Sequence, residues 1–100
     1  MIGLNEKESH TIRGILSKYP EVEEAVLFGS RARGDNKLSS DVDLAVKGKN
    51  LSSRVIARLW DELSESDFPY FVDIVNYQTI TNPALKENID SEGFVFYIKH

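Results

Sequence analysis

Three aspartates carry the first chemical signal in this chain. Asp41 and Asp43 stand two apart in Asp41-Val42-Asp43-Leu44-Ala45-Val46, an alternation that predicts a β-strand. In a strand both carboxylates share one face, roughly 6.5 to 7 Å apart along the chain, while Val42 and Leu44 turn to the core. Like charges this close oppose each other unless a cation lies between them. Asp73 is flanked in the same way by Val72 and Ile74, within a further predicted strand over 70–75. If these strands are neighbours, three carboxylates converge on one site. An all-oxygen donor set of that kind suits Mg²⁺ or Mn²⁺. The competing explanation is that alternating Asp merely marks the solvent face of a half-exposed strand.

Upstream, Ala25-Val26-Leu27-Phe28 is an apolar run closed by Gly29-Ser30. Such a run reads as a strand buried on both faces. A glycine there lets the backbone approach a ligand, and amides together with the Ser30 hydroxyl can cradle phosphate oxygens. Arg31 and Arg33 add cations suited to phosphate charge, although loop arginines are also ordinary solvated residues. Singly, each feature has an ordinary explanation. Together they form an ordered series of strand, Gly-Ser, ten residues, and Asp-x-Asp on the next strand. A Gly-Ser-x10-Asp-x-Asp match arises by chance in on the order of one chain in a thousand of this length.

The stretch Leu27-Phe28-Gly29-Ser30-Arg31-Ala32-Arg33-Gly34, followed by Ser40-Asp41-Val42-Asp43-Leu44, resembles the polymerase β-type nucleotidyltransferase superfamily. Within it, the match is to the minimal nucleotidyltransferase (MNT) group. The resemblance implies an α+β nucleotidyltransferase fold and transfer of a nucleoside monophosphate, such as AMP from ATP or another NTP, to an acceptor hydroxyl. It implies two Mg²⁺ ions, with Mn²⁺ as a substitute, held by Asp41, Asp43 and Asp73. Asp73 would also help to deprotonate the acceptor, and Gly29 and Ser30 would hold the β and γ phosphates. Arg33 joins the nucleotide site by its proximity to the phosphate loop. Two ions about 3.5 to 4 Å apart would clamp the attacking and leaving oxygens of an in-line displacement. The group's usual companion is a small all-helical HEPN protein. Such pairs form toxin–antitoxin systems in which the MNT member can modify a tyrosine of the HEPN ribonuclease. Without an acceptor-binding domain, the acceptor is expected to be held by another protein.

The elements that must position these residues follow from pattern and punctuation. Asn5 with Glu8 forms a capping box, and Ile12, Ile15, Leu16 and Tyr19 stripe one face of a helix that Pro20 stops. Residues 29–40 read as a loop with one helical turn over 30–33, and Lys37 as a solvated loop residue. After a turn over 47–50, Val55, Ile56, Leu59, Trp60 and Leu63 stripe a second helix, and Pro69 ends the connection to the Asp73 strand. Asn82-Pro83 opens a short helix with Leu85 and Ile89 on one side, and Gly93 occupies the place of a helix C-cap glycine. The tail over 94–98 is apolar on both alternating faces, either a covered strand or a partner surface. Helices alternating with strands predict one α+β domain over residues 1–100, a small mixed β-sheet with helices packed on it. Trp60 falls on the helix stripe and belongs to the core, His10 is solvated, and Tyr77 remains open between stacking a nucleobase and packing.

Composition narrows the alternatives. The chain has 100 residues, 41% of them hydrophobic, with 12 Lys and Arg against 16 Asp and Glu for a net charge of −4. That balance argues against direct nucleic-acid binding. No apolar run is long enough for a membrane span, and the N-terminal residues lack a signal-peptide layout, so a cytoplasmic location is expected. With no cysteine and only two histidines, disulfides, thiol nucleophiles, Cys-ligated zinc and a Ser-His-Asp triad are disfavoured. The expected function is a nucleotidyltransferase acting as an antitoxin on a HEPN partner. Its rivals are a non-catalytic module of the same fold that neutralises the partner by contact, and a transferase acting on a small molecule. A homo-oligomer is also compatible with the apolar tail.

Overall fold

In a computed structural model, residues 5–29, 42–66, 68 and 71–99 are described. Asn5 caps the first helix as its spacing predicts. Its side chain accepts the Glu8 N–H at 2.8 Å, and Glu8 Oε1 accepts the Asn5 N–H at 3.0 Å. Helix α1 (Glu6–Leu16) buries Ile12, Ile15 and Leu16. It stops one turn earlier than the stripe through Tyr19 suggests. The Ser17 hydroxyl donates to the Gly14 carbonyl at 2.8 Å, and Lys18 and Tyr19 donate to carbonyls only three residues back, so the helix tightens and ends before Pro20 is reached.

Strands β1 (Glu24–Phe28) and β2 (Val42–Lys47) precede helix α2 (Ser53–Glu65). Strand β3 (Val72–Asn76), a single 3-10 turn (Tyr77–Thr79), helix α3 (Pro83–Glu92) and strand β4 (Phe94–Ile98) complete the order. The sheet runs β3-β2-β1-β4. Strands β2 and β3 are parallel, while β1 is antiparallel to both β2 and β4. The expected mixed sheet is therefore present.

Alternation along the strands splits the core into two layers. Ala25, Leu27, Val42, Leu44, Val46, Val72 and Ile74 meet α1 and α2 through Ile12, Leu16, Val55, Leu59 and Leu63. Fully burying a leucine contributes about 1.5–3 kcal/mol, so this thicker layer anchors the sheet. The opposite face is thinner: Val26, Phe28 and Ala45 are covered by Ile89 of α3. Asp43 and Asp73 share the strand parity of Ala45 and Val75 and lie on this second face.

Gly93 is the C-cap of α3, as its place in the sequence predicts, and its N–H donates to the Ile89 carbonyl at 3.0 Å. Its φ is −69°, a conformation open to any residue. A Cβ there would run into the Ile89 carbonyl and the Val26 side chain, so close packing of α3 on β1 is what requires glycine. Strand β4 is paired with β1 and covered on one face. Phe96 is buried, with the Arg13 guanidinium 4.4 Å from its ring centroid and Arg13 Nε donating to its carbonyl at 3.0 Å. Phe94, Val95 and Ile98 on the same strand are exposed. Among the described residues, no helix is long and apolar enough to cross a membrane.

The Tyr19 hydroxyl donates to Glu62 Oε1 at 2.6 Å, joining the end of α1 to α2. That bond, with added burial and the Glu62 charge, pushes the phenol up to about 12. A folded-state value raised above the unfolded one means stability that is present below pH 10 and lost between about pH 10 and 12. Tyr19→Phe is expected to lessen this alkaline decline in melting curves recorded across that range, leaving the part due to Tyr77, whose bond to Asp90 also raises its phenol. An unchanged decline in the variant would assign it to another group.

Candidate functional site

The parallel register of β2 and β3 places Asp43 directly beside Asp73. Neighbouring strands lie about 4.8 Å apart, and in-register residues of parallel strands project from the same face. Both aspartates are half-buried. Two carboxylates so placed repel one another unless positive charge sits with them. Their oxygens are hard donors, and the pair fits a divalent cation of the Mg²⁺ type.

Gly29 approaches the same point from β1. The β1–β2 register pairs Phe28 with Asp43, so the residue after Phe28 turns across the Asp43 side chain. Gly29 has φ of 79°, the one positive φ among the described residues. A Cβ on it would lie 2.6 Å from Asp43 Oδ2. The left-handed conformation and the missing side chain are thus both required. Strand order sets the layout, with the Gly29 turn on the β1 side of Asp43 and Asp73 on the β3 side.

Of the six residues predicted for the site, the structure brings Gly29, Asp43 and Asp73 together. Asp41, Ser30 and Arg33 lie outside the described residues, as does the helical turn expected over 30–33. Among the described residues there is no cluster of three or more His, Cys, Asp or Glu side chains able to hold a metal. The described part of the site thus supplies two carboxylates.

The aromatic candidates separate clearly. Trp60 is partly buried against the main core, as its stripe position predicts. Tyr77 packs at the edge of the second core layer and donates its hydroxyl to Asp90 Oδ1 at 2.6 Å. The Lys47 and Lys86 ammonium groups lie 4.5 and 5.0 Å from its ring centroid. With cations held over the ring and the hydroxyl engaged, Tyr77 is a packing residue and no open platform for a base. The Phe71 ring centroid is 5.1 Å from that of Trp60.

Residues 10–100 match the family model described as polymerase beta, nucleotidyltransferase. A Methanocaldococcus jannaschii protein named as a protein adenylyltransferase is 39% identical over 73 residues, covering 72% of this chain and 76% of the relative. A crystal structure of a toxin–antitoxin with AMP-PNP superposes with a TM-score of 0.76 at 23% identity, covering 92% of this chain and 74% of that one. A complex of a tri-AMPylated Shewanella oneidensis HEPN toxin with its MNT antitoxin gives 0.72 at 20% identity, covering 96% of this chain and 74% of that one. At these identities the structural likeness is one of fold.

Proposed function

Because the chain belongs to the polymerase beta nucleotidyltransferase family, we propose that it moves AMP from ATP to a protein hydroxyl, a tyrosine of a HEPN toxin, and so acts as an antitoxin. The observation that carries this reading is the in-register pair Asp43 and Asp73 with the Gly29 turn pressed against Asp43. The adenylyltransferase name of the M. jannaschii relative supports the donor and reaction. The AMPylated HEPN toxin bound to an MNT neighbour supports the acceptor. A reaction that consumes ATP would run in the cytoplasm.

In this reading each residue has one task. Gly29, with Ser30 after it, lets the triphosphate lie close to the backbone, and Arg33 adds positive charge. Asp43, flanked by Gly29 on one side and Asp73 on the other, would hold metal with Asp41 and Asp73. Mg²⁺, when bound, supplies the charge that offsets the phosphates and the leaving pyrophosphate. Asp73, on the β3 side, orients the acceptor hydroxyl and takes its proton. The acceptor oxygen then bonds to the α-phosphorus as the bond to pyrophosphate breaks.

The test is incubation of the chain with α-labelled ATP, Mg²⁺ and a HEPN partner. Label is expected on a partner tyrosine, with ribonuclease activity lost in parallel and no transfer in excess EDTA. Inhibition of the partner without any labelling would instead identify a non-catalytic module that neutralises by contact.

A further inference from the structure

Strand β4 is an outer strand of the sheet, and the edge of such a strand offers backbone donors and acceptors to any strand that reaches it. The segment Phe94-Val95-Phe96-Tyr97-Ile98 holds no charge, proline or glycine, the composition from which strands add to one another most readily. Phe94, Val95 and Ile98 are 46%, 50% and 51% exposed. An edge of this kind needs a device that keeps other strands away.

Two linked features of β4 supply one. The pairing with β1 shifts register between Ala25↔Tyr97 and Val26↔Val95, which leaves Phe96 as an extra residue with none opposite it. A bulge of this kind interrupts the ladder and bends the edge. The carbonyl of that extra residue is taken up by a side chain 83 positions away, Arg13 of α1, whose Nε donates to it at 3.0 Å. The same guanidinium lies 4.4 Å from the centroid of the Phe96 ring. Arg13 is exposed and Phe96 is buried, so the cation closes over the bulge from the solvent side. Hydrogen bond and ring contact together hold Phe96 in the main core and fix the shifted register.

We propose that Arg13 latches the β4 edge against addition of a second copy of this chain. The occupant it excludes is the same strand of another molecule. Antiparallel copies centred on Phe96 set Phe94 of one chain opposite Ile98 of the other, so the exposed side chains of the segment complement themselves. With the latch in place, the Phe96 carbonyl is already engaged and each copy brings a positive charge to the centre of the contact. The latch is separate from the transfer chemistry, because β1 stands between β4 and the strands that carry Asp43 and Asp73.

Arg13→Met removes the donor and the charge while keeping an apolar stem and a good helix former at an exposed position. Sedimentation velocity across a concentration series reads self-association, and circular dichroism melts establish that each variant is folded. Arg13→Met is expected to raise the self-association constant about tenfold or more over wild type. Adding Ile98→Lys to Arg13→Met should return the wild-type distribution, since a lysine then stands on the edge opposite Phe94. Arg13→Ala, with higher helix propensity still, repeats the test without the stem. Folded Arg13 variants that associate no more than wild type overturn the proposal. Association that Ile98→Lys leaves undiminished also overturns it, and assigns the contact to another surface.

Discussion

Asp43→Asn is expected to reduce AMP transfer about a thousandfold while leaving the fold intact. The substitution keeps the shape of the side chain and removes the charge that a hard cation requires. Charge stabilisation by a bound metal contributes several kcal/mol to a phosphoryl-type transition state, and each 1.36 kcal/mol is a factor of ten in rate. Asp43 is the sensitive position because it stands between the other two contributors, paired with Phe28 ahead of Gly29 and in register with Asp73. The stabilisation that Mg²⁺ gives to the melting temperature should shrink. Initial rates with labelled ATP, together with melts with and without Mg²⁺, check both arms. Transfer within a few-fold of wild type would remove Asp43 from the metal site.

Gly29→Ala should lower both activity and stability, a combination that separates it from Asp43→Asn. The left-handed backbone at φ 79° costs a side-chain-bearing residue about 1–2 kcal/mol. For a domain of this size that corresponds to a melting temperature lower by roughly 4–8 °C per kcal/mol. The new methyl would also stand 2.6 Å from Asp43 Oδ2, so the carboxylate must move. A displacement on the order of 1 Å at a catalytic group can cost about a hundredfold in rate. Raising the Mg²⁺ concentration should recover part of the rate, because the carboxylate is displaced and not lost. No recovery, with full loss of folded protein, would show the turn to be structural alone.

Some of this molecule can be read directly from its residues. The period-2 alternation in Asp41-Val42-Asp43-Leu44 and Val72-Asp73-Ile74 assigns the aspartates to one strand face and their neighbours to the core, and Val42, Leu44, Val72 and Ile74 are indeed buried. Caps at Asn5 and Asn82 are likewise local, since side-chain oxygens bond backbone groups two or three residues away. Local signals failed where two local arrangements competed. The Tyr19 stripe gives no sign that Ser17 would take the Gly14 carbonyl. Glycine at position 93 is the C-cap its place predicts, but the close approach of Val26, a residue remote in the chain, is legible only in the fold. Tyr77 has the chemistry of a stacking platform until Lys47, Lys86 and Asp90 are seen around it.

The carboxylates, the glycine and the faces they occupy follow from residue type and from a repeat that spans only a few positions. Which strands lie side by side was decided by the tertiary structure alone. Asp43 and Asp73 are 30 positions apart, and no local pattern says whether β3 pairs with β2, with β1, or at the far edge. The parallel pairing of β2 with β3 arises because α2 packs its Val55, Leu59 and Leu63 stripe on the sheet and returns the chain beside β2. Burial of that stripe is what brings the two aspartates into one site.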